Sequence, residues 1–249
     1  MAGSTTPGPL GINPHNINND SKTTLAPQLQ ASPIGFDAAA ETSSGISSLS
    51  EEVRLLAAVV YGESSKNDVF EEMAGIGAVL VRQAEARRYT SVLAFLKSAE
   101  AKSFSFVLVD SNSRFQQLKN AKIEEISKNN GMAAAVKAAR HAIGKNTDYS
   151  AGGYFWDGTD LKSNYKNHPK VIKGIRFTDT KHDIYQVGGK TIPEVVTYWY
   201  IKGANGSSKK GKERERYSCT YESTAAYGGT VFWCYTPEYI KATGNKEYQ

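Results

Sequence analysis

Only two cysteines occur in 249 residues, Cys219 and Cys234, so the chain can close at most one internal disulfide. No apolar run approaches the roughly 20 residues of a membrane-spanning helix, which argues against insertion into a bilayer. A secretory leader is also missing from the pattern: the first basic residue is Lys22, and no apolar stretch follows the start. The expectation is a chain that stays in the cytoplasm or leaves by a route reading something other than an N-terminal leader. The first fifty residues have one aromatic, Phe36, yet hold five of the eight prolines. Such a stretch cannot bury enough surface to offset its ordering entropy. Residues 1–47 are predicted to be a flexible linker or arm, and residues 48–249 a single domain with room for a sizeable core. No internal repeat is visible.

Charge is present but moderate. The net charge is +5, and the first fifty residues carry one lysine against three acids, so the remainder holds +7. A basic domain of this kind suits an anionic polymer such as a wall glycan or a nucleic acid, and equally suits simple solubility.

Helical patterns fill the first half. Ser48 and Glu51 have capping-box spacing, and Val53, Leu56, Val59 and Val60 form one stripe behind them. Asp68 is placed to cap a second helix whose core face is Met73, Ile76, Val79 and Leu80. Shorter helices are predicted at 91–98, 112–119 and 121–128, and a stronger one at 131–143, ending at Gly144. The second half turns to β-branched and aromatic runs: "GGYFWDG", "DIYQV", "EVVTYWYI", "RYSCTY" and "TVFWCY". Residues 203–216, "GANGSSKKGKERER", read as a basic loop, either solvated or holding an anionic substrate. Helices first and strands later predict an α+β domain, with a helical core in the first half and an antiparallel β region in the second.

Two glutamates stand out. Glu63 follows the apolar run ending in Val59, Val60, Tyr61 and Gly62, where partial burial favours a protonated acid and the glycine leaves room for a ligand. Glu72 lies four before Ile76 and seven before Val79, on the inward stripe, whereas Glu71 shares its face with Gly75, Ala78 and Arg82 and reads as solvent side. On one continuous helix, Glu63 and Glu72 would sit about 180° apart around the axis and roughly 13 Å along it. The polar "SSKND" between them is a poor helix interior. A break there lets the chain fold back and bring both carboxyls to one cleft. One protonated and one ionised carboxyl is the equipment of glycoside hydrolysis.

"VVYGES…EEMAGIGAVLVR", "GGYFWD" and "KHDIYQVG" resemble the signature of SleB-like cell-wall hydrolases across about residues 51–190. The whole of 51–249 is similar to the lysozyme domain that ends some bacterial type VI secretion effectors. The resemblance implies a lysozyme-like fold that cleaves peptidoglycan glycan strands, with Glu63 as catalytic acid and Glu72 as its partner. It implies substrate contacts from Tyr61, Tyr154, Trp156, Asp157, His182 and Tyr185, with no cofactor and no metal. Partners would be the glycan strands, a cognate immunity protein and a secretion carrier or chaperone, with no nucleic acid; the site of action would be a target cell's periplasm. SleB-like proteins commonly carry Gln where this chain has Glu72, which favours true hydrolysis over lytic transglycosylation.

Other readings stay open. Tyr154, Phe155 and Trp156 could stack on sugars or pack in a core, and His182 and Tyr185 could line the cleft or brace it. Asp157-Gly-Thr-Asp160 is most simply a turn. Asp157, Asp160, His168, Asp179, His182 and Asp183 are the raw material of a metal-dependent nuclease, though none has a tight ligand spacing. A glycan-binding module without chemistry is a further alternative. A symmetric hairpin centred between Ala226 and Tyr227 would place Cys219 opposite Cys234, and either a bridge or two free thiols would follow.

Overall fold

The computed structural model describes residues 48–248 apart from 110, 111 and 204; the predicted arm, 1–47, lies outside the described residues. The helices are α1 (Glu51–Glu63), α2 (Phe70–Ala86), α3 (Val92–Leu96), α4 (Ala99–Phe104), α5 (Ser113–Asn120), α6 (Ile123–Lys128) and α7 (Asn130–Ile143), then α8 (Asp160–Ser163), α9 (Pro169–Ile172) and α10 (Pro237–Thr243). Strands β1 (Phe155–Asp157), β2 (Ile175–Arg176), β3 (Val195–Lys202), β4 (Ser208–Tyr217), β5 (Tyr221–Tyr227) and β6 (Thr230–Tyr235) all follow α7. The α+β class and the division into helical and strand halves are as expected. Among the described residues no helix is long and apolar enough to cross a membrane.

The first helix starts two residues later than its capping-box spacing suggests. Ser50, in an extended conformation, accepts from the Val53 amide at 3.3 Å, and Glu51 and Glu52 then oppose the helix dipole favourably. The second half of α1 is buried nearly all round, because α5, α7 and α2 pack on different sides of it. The predicted break is real: α1 ends at Glu63, residues 64–69 turn, and α2 begins at Phe70. Asp68 does not cap α2. The cap position is Val69, without a side-chain bond, while Asp68 takes a left-handed φ of 55° and turns its carboxylate to Arg114 at 2.6 Å. Met73, Ile76, Val79 and Leu80 are fully buried as predicted. Glu71 is half-buried rather than solvent-facing, since the Gly75 on its face lies against the Phe232 ring.

The main sheet has the order β1-β6-β5-β2, with only the short β2 running parallel to its neighbour. The alternation of β6 divides its side chains between two clusters. Phe232 joins the helical core, whereas Val231, Trp233 and Tyr235 join Leu161, Val171, Ile175 and Tyr221 on the other face. The sheet thus stands on α2 and carries the segments 158–174 and 177–187 on its far side. "DIYQV" is not a strand: Asp183 accepts from the Val187 and Gly188 amides at 2.9 and 2.8 Å and makes a turn of it. Nor is 203–216 a loop. Most of it is β4, paired with β3 as a separate two-stranded ribbon.

The β5–β6 register overturns the symmetric hairpin. Tyr227 pairs with Thr230 around Gly228-Gly229, a bulge follows between Ser223 and Ala225, and Cys234 falls opposite Glu222. Three residues, roughly 10 Å of extended chain, separate Cys219 from that position, more than the Cα spacing a disulfide spans. Both cysteines are free, and burial pushes the thiols up, Cys234 to about 11 with help from Glu222. Thiol counting on air-oxidised, unfolded protein should return two free thiols; a bridged species would mean that the hairpin adopts a different register.

Candidate active site

A carboxylate buried in the first turn of a helix requires donors, and Glu72, 0 % exposed, has four. The Ser65 amide reaches its Oε1 at 3.0 Å and the Ser65 hydroxyl its Oε2 at 2.6 Å. From the far end of the chain, the Gly229 amide and Thr230 hydroxyl donate to Oε1 at 3.2 and 2.8 Å. Two donors come from the α1–α2 turn and two from the β5–β6 hairpin, so one side chain clasps both. Gly228 is required beside it: its φ is 58°, and a Cβ there would sit 2.2 Å from Glu72 Oε2. The Tyr185 hydroxyl donates to the Gly229 carbonyl. Burial and then the Glu72 charge push its phenol up.

Glu63 occupies the opposite helix pole. It is the half-buried last residue of α1, a turn with no basic residue. The helix's negative end opposes a further negative charge there. The Ser105 hydroxyl donates to Glu63 Oε1.

The turn between the two glutamates is braced by Arg114. Its guanidinium donates to the Ser65 carbonyl at 2.9 Å and the Ser64 hydroxyl at 3.4 Å, pairs with Asp68, and lies 4.0 Å above the Tyr61 ring. Glu63 therefore ends a rigid helix, Glu72 opens another, and both ends of the intervening turn are tied down. Ser65, Ser105, Arg114 and Thr230 were not singled out from the sequence. Ser65 lay inside the recognised break, but nothing local marks the other three.

The remaining candidates are dispersed. Tyr185 joins the Glu72 cluster. Tyr61 is buried beneath Arg114, which removes its ring from a sugar's reach in this conformation. Gly62 leaves no room for a ligand, because Asn112 and Phe115 fill the space beside it and Asn112 donates to its carbonyl at 3.2 Å. Trp156 packs against the helical core and Phe155 against the second cluster. Tyr154 lines a separate recess of about 600 Å³ with Arg82, Glu222 and Glu247. Another recess, of about 560 Å³, lies between Arg54, Leu96 and Phe115. Neither recess includes Glu63 or Glu72. His182 is held by Ser223 at 2.9 Å, a bracing contact on β5.

Asp157, Asp160 and His168 are brought together, their ligand-type atoms within 4.8 Å of one another, while Asp179, His182 and Asp183 stay outside this group. The cluster already contains its own cations. Lys170 Nζ is 2.8 Å from Asp157 Oδ1, and His168 Nε2 is 3.3 and 3.2 Å from Asp157 and Asp160. Burial opposes charge on His168, but the hydrogen bonds its ring donates to the two carboxylates outweigh it and push the imidazole up to about 9. His168 Nδ1 also lies 3.3 Å from the Lys170 amide, a cap that only the neutral ring can provide. A ring protonated on Nε2 alone donates to the carboxylates and still accepts the Lys170 amide on Nδ1, whereas the doubly protonated ring forfeits the cap. The arrangement is a brace between β1 and the start of α9, and the expectation that Asp157 contacts substrate meets a side chain already occupied by Lys170.

Glu72→Ala should lower unfolding stability by about 3 kcal/mol in denaturant titration, since each unmet buried donor costs roughly 1–3 kcal/mol. Gly228→Ala should also destabilise, by about 2 kcal/mol or more, and wild-type stability in Gly228→Ala would refute the clasp. A raised folded-state pKa for His168 contributes stability that is complete below 6.5 and is lost as pH rises through about 9. The stability gap between wild type and His168→Gln should therefore shrink over that window.

No family model, curated protein or solved structure matches the chain.

Proposed function

We propose that the domain is a peptidoglycan hydrolase of the muramidase type, cleaving the β-1,4 bond between MurNAc and GlcNAc. In this reading it is an antibacterial effector domain delivered by a type VI apparatus into the periplasm of a target cell. A cognate immunity protein and a secretion carrier or chaperone would be its partners. The observation that carries the chemistry is the braced turn joining Glu63, at a helix C-terminus, to Glu72, at a helix N-terminus. The two poles place opposite electrostatic demands on two carboxyls only nine residues apart.

Glu63 protonates the glycosidic oxygen as the bond breaks, and the carboxylate this leaves then takes back a proton from the water that adds to the sugar's anomeric carbon. Glu72 is enclosed by four donors, which leaves it without direct contact to an attacking water. Its part is to hold a fixed negative charge behind Ser65 that favours the developing oxocarbenium ion, and to hold the turn that carries Glu63. Tyr227, exposed beside the Gly228 turn, offers a ring at the edge of this region. The enclosure of Glu72 also supports a second reading, lytic transglycosylation, in which one glutamate suffices and the sugar closes on itself without water.

Mass spectrometry of digested peptidoglycan separates the two: reducing MurNAc ends support hydrolysis, and anhydro-MurNAc ends support transglycosylation. Glu63→Gln should keep its fold and lose nearly all wall lysis, on the order of a hundredfold or more, and residual lysis near wild type would sink the assignment. Glu72→Gln should be severely impaired and Glu71→Gln only mildly; equal losses would remove Glu72 from the mechanism.

A further inference from the structure

The β3–β4 ribbon is the part of the surface that neither the fold nor the proposed chemistry requires. Its base is anchored: Tyr217 packs edge-on to Tyr239 of α10, and Lys241 pairs with Glu215. Its outer part is bare. Trp199, Tyr200 and Ile201 are 50, 65 and 63 % exposed, an unusual run of large apolar side chains in water. They are interleaved with cations. Lys210 Nζ lies 3.4 Å from the centre of the Tyr198 ring, and the Arg214 guanidinium 4.5 Å from that of Trp199. Between residues 195 and 217 there are four lysines and two arginines against two glutamates.

Lysines on an open strand edge discourage edge-to-edge pairing, and the register irregularities at Thr197–Tyr198 and Tyr198–Tyr200 do the same. That accounts for the lysines but not for the rings. An aggregation guard gains nothing from three exposed apolar side chains in a row. Aromatic faces beside ammonium groups fit a ligand that is at once a sugar polymer and an anion, since rings stack on pyranose faces and lysines meet carboxylates. Peptidoglycan has both features in its glycan backbone and in the carboxylates of its peptide stems.

We propose that this ribbon is a wall-binding arm that grips anionic glycan strands away from the cleavage site; the choice of occupant rests on the peptidoglycan reading above. Its role is to raise residence on the insoluble polymer, leaving the chemistry at Glu63 untouched.

The test is co-sedimentation of the full chain with purified peptidoglycan sacculi on ice, alongside size-exclusion chromatography and thermal unfolding. Two variants are compared with wild type: Trp199→Ala with Tyr200→Ala, and Lys209, Lys210 and Lys212 each changed to Gln. Both should unfold at the wild-type temperature and bind on the order of tenfold more weakly, the effect of losing about 1.4 kcal/mol. The lysine variant should also show a flatter salt dependence, and amidating the carboxyl groups of the sacculi should weaken wild-type binding. Unchanged binding by both variants overturns the proposal. So does a wild-type dimer that the ring variant turns into a monomer, which would make a second copy the occupant. Duplex DNA binding lost in both variants while wall binding persists would likewise overturn it. If wild type binds sacculi through the ribbon yet releases no cleaved glycan, the hydrolase reading fails and the arm stands.

Discussion

The domain is organised around a carboxylate with no access to water. Glu72 accepts four hydrogen bonds, and its donors come from two segments that share no secondary structure. Charge-assisted bonds of this kind are individually worth about 1.5–3 kcal/mol, and they are directional, so the turn at 64–69 has one resting place. Arg114 fixes the same turn from the other side. The electrostatics follow from the placement: a helix end that welcomes negative charge is set against one that opposes it.

The rest of the fold supplies the platform. α2 lies between the helical core and the sheet, and the Phe232 ring against Gly75 sets how closely β6 approaches it. That approach brings the Gly228-Gly229 turn within reach of Glu72. The second cluster, around Trp233 and Tyr221, holds the segments 158–174 and 177–187 on the sheet's outer face, from which Tyr185 reaches back to Gly229. Motifs distant in sequence therefore meet at one turn of one hairpin.

Part of this was legible in the residues. The break after Glu63 follows from five polar residues in a row, and the inward phase of Glu72 follows from its spacing to Ile76 and Val79. Its donors were not legible, because pairing between residue 72 and residues 229–230 leaves no local period. "DIYQV" misled because β-branched and aromatic composition says nothing of the turn Asp183 makes with its own carboxylate. The basic stretch at 203–216 misled for the opposite reason: its charged side chains lie along aromatic faces of β3, so a polar sequence forms a regular strand. The cysteine pairing failed on the position of the turn: the hairpin closes at Gly228-Gly229 instead of between Ala226 and Tyr227, which shifts the partner of Cys234 by four residues, and the bulge in β5 restores only one of them.

The clasp also sets an order of assembly during synthesis. The glutamate turn is made early, but two of the four groups that hold Glu72 lie 157 and 158 residues further along. A ribosome must release nearly the entire domain before the hairpin can close on that carboxylate, and closing a loop of this length is among the slower events in folding. A nascent chain, or one cut short before β6, carries both glutamates with the turn between them only half secured. Closure of the clasp thus comes late in making this domain, a delay written into its topology.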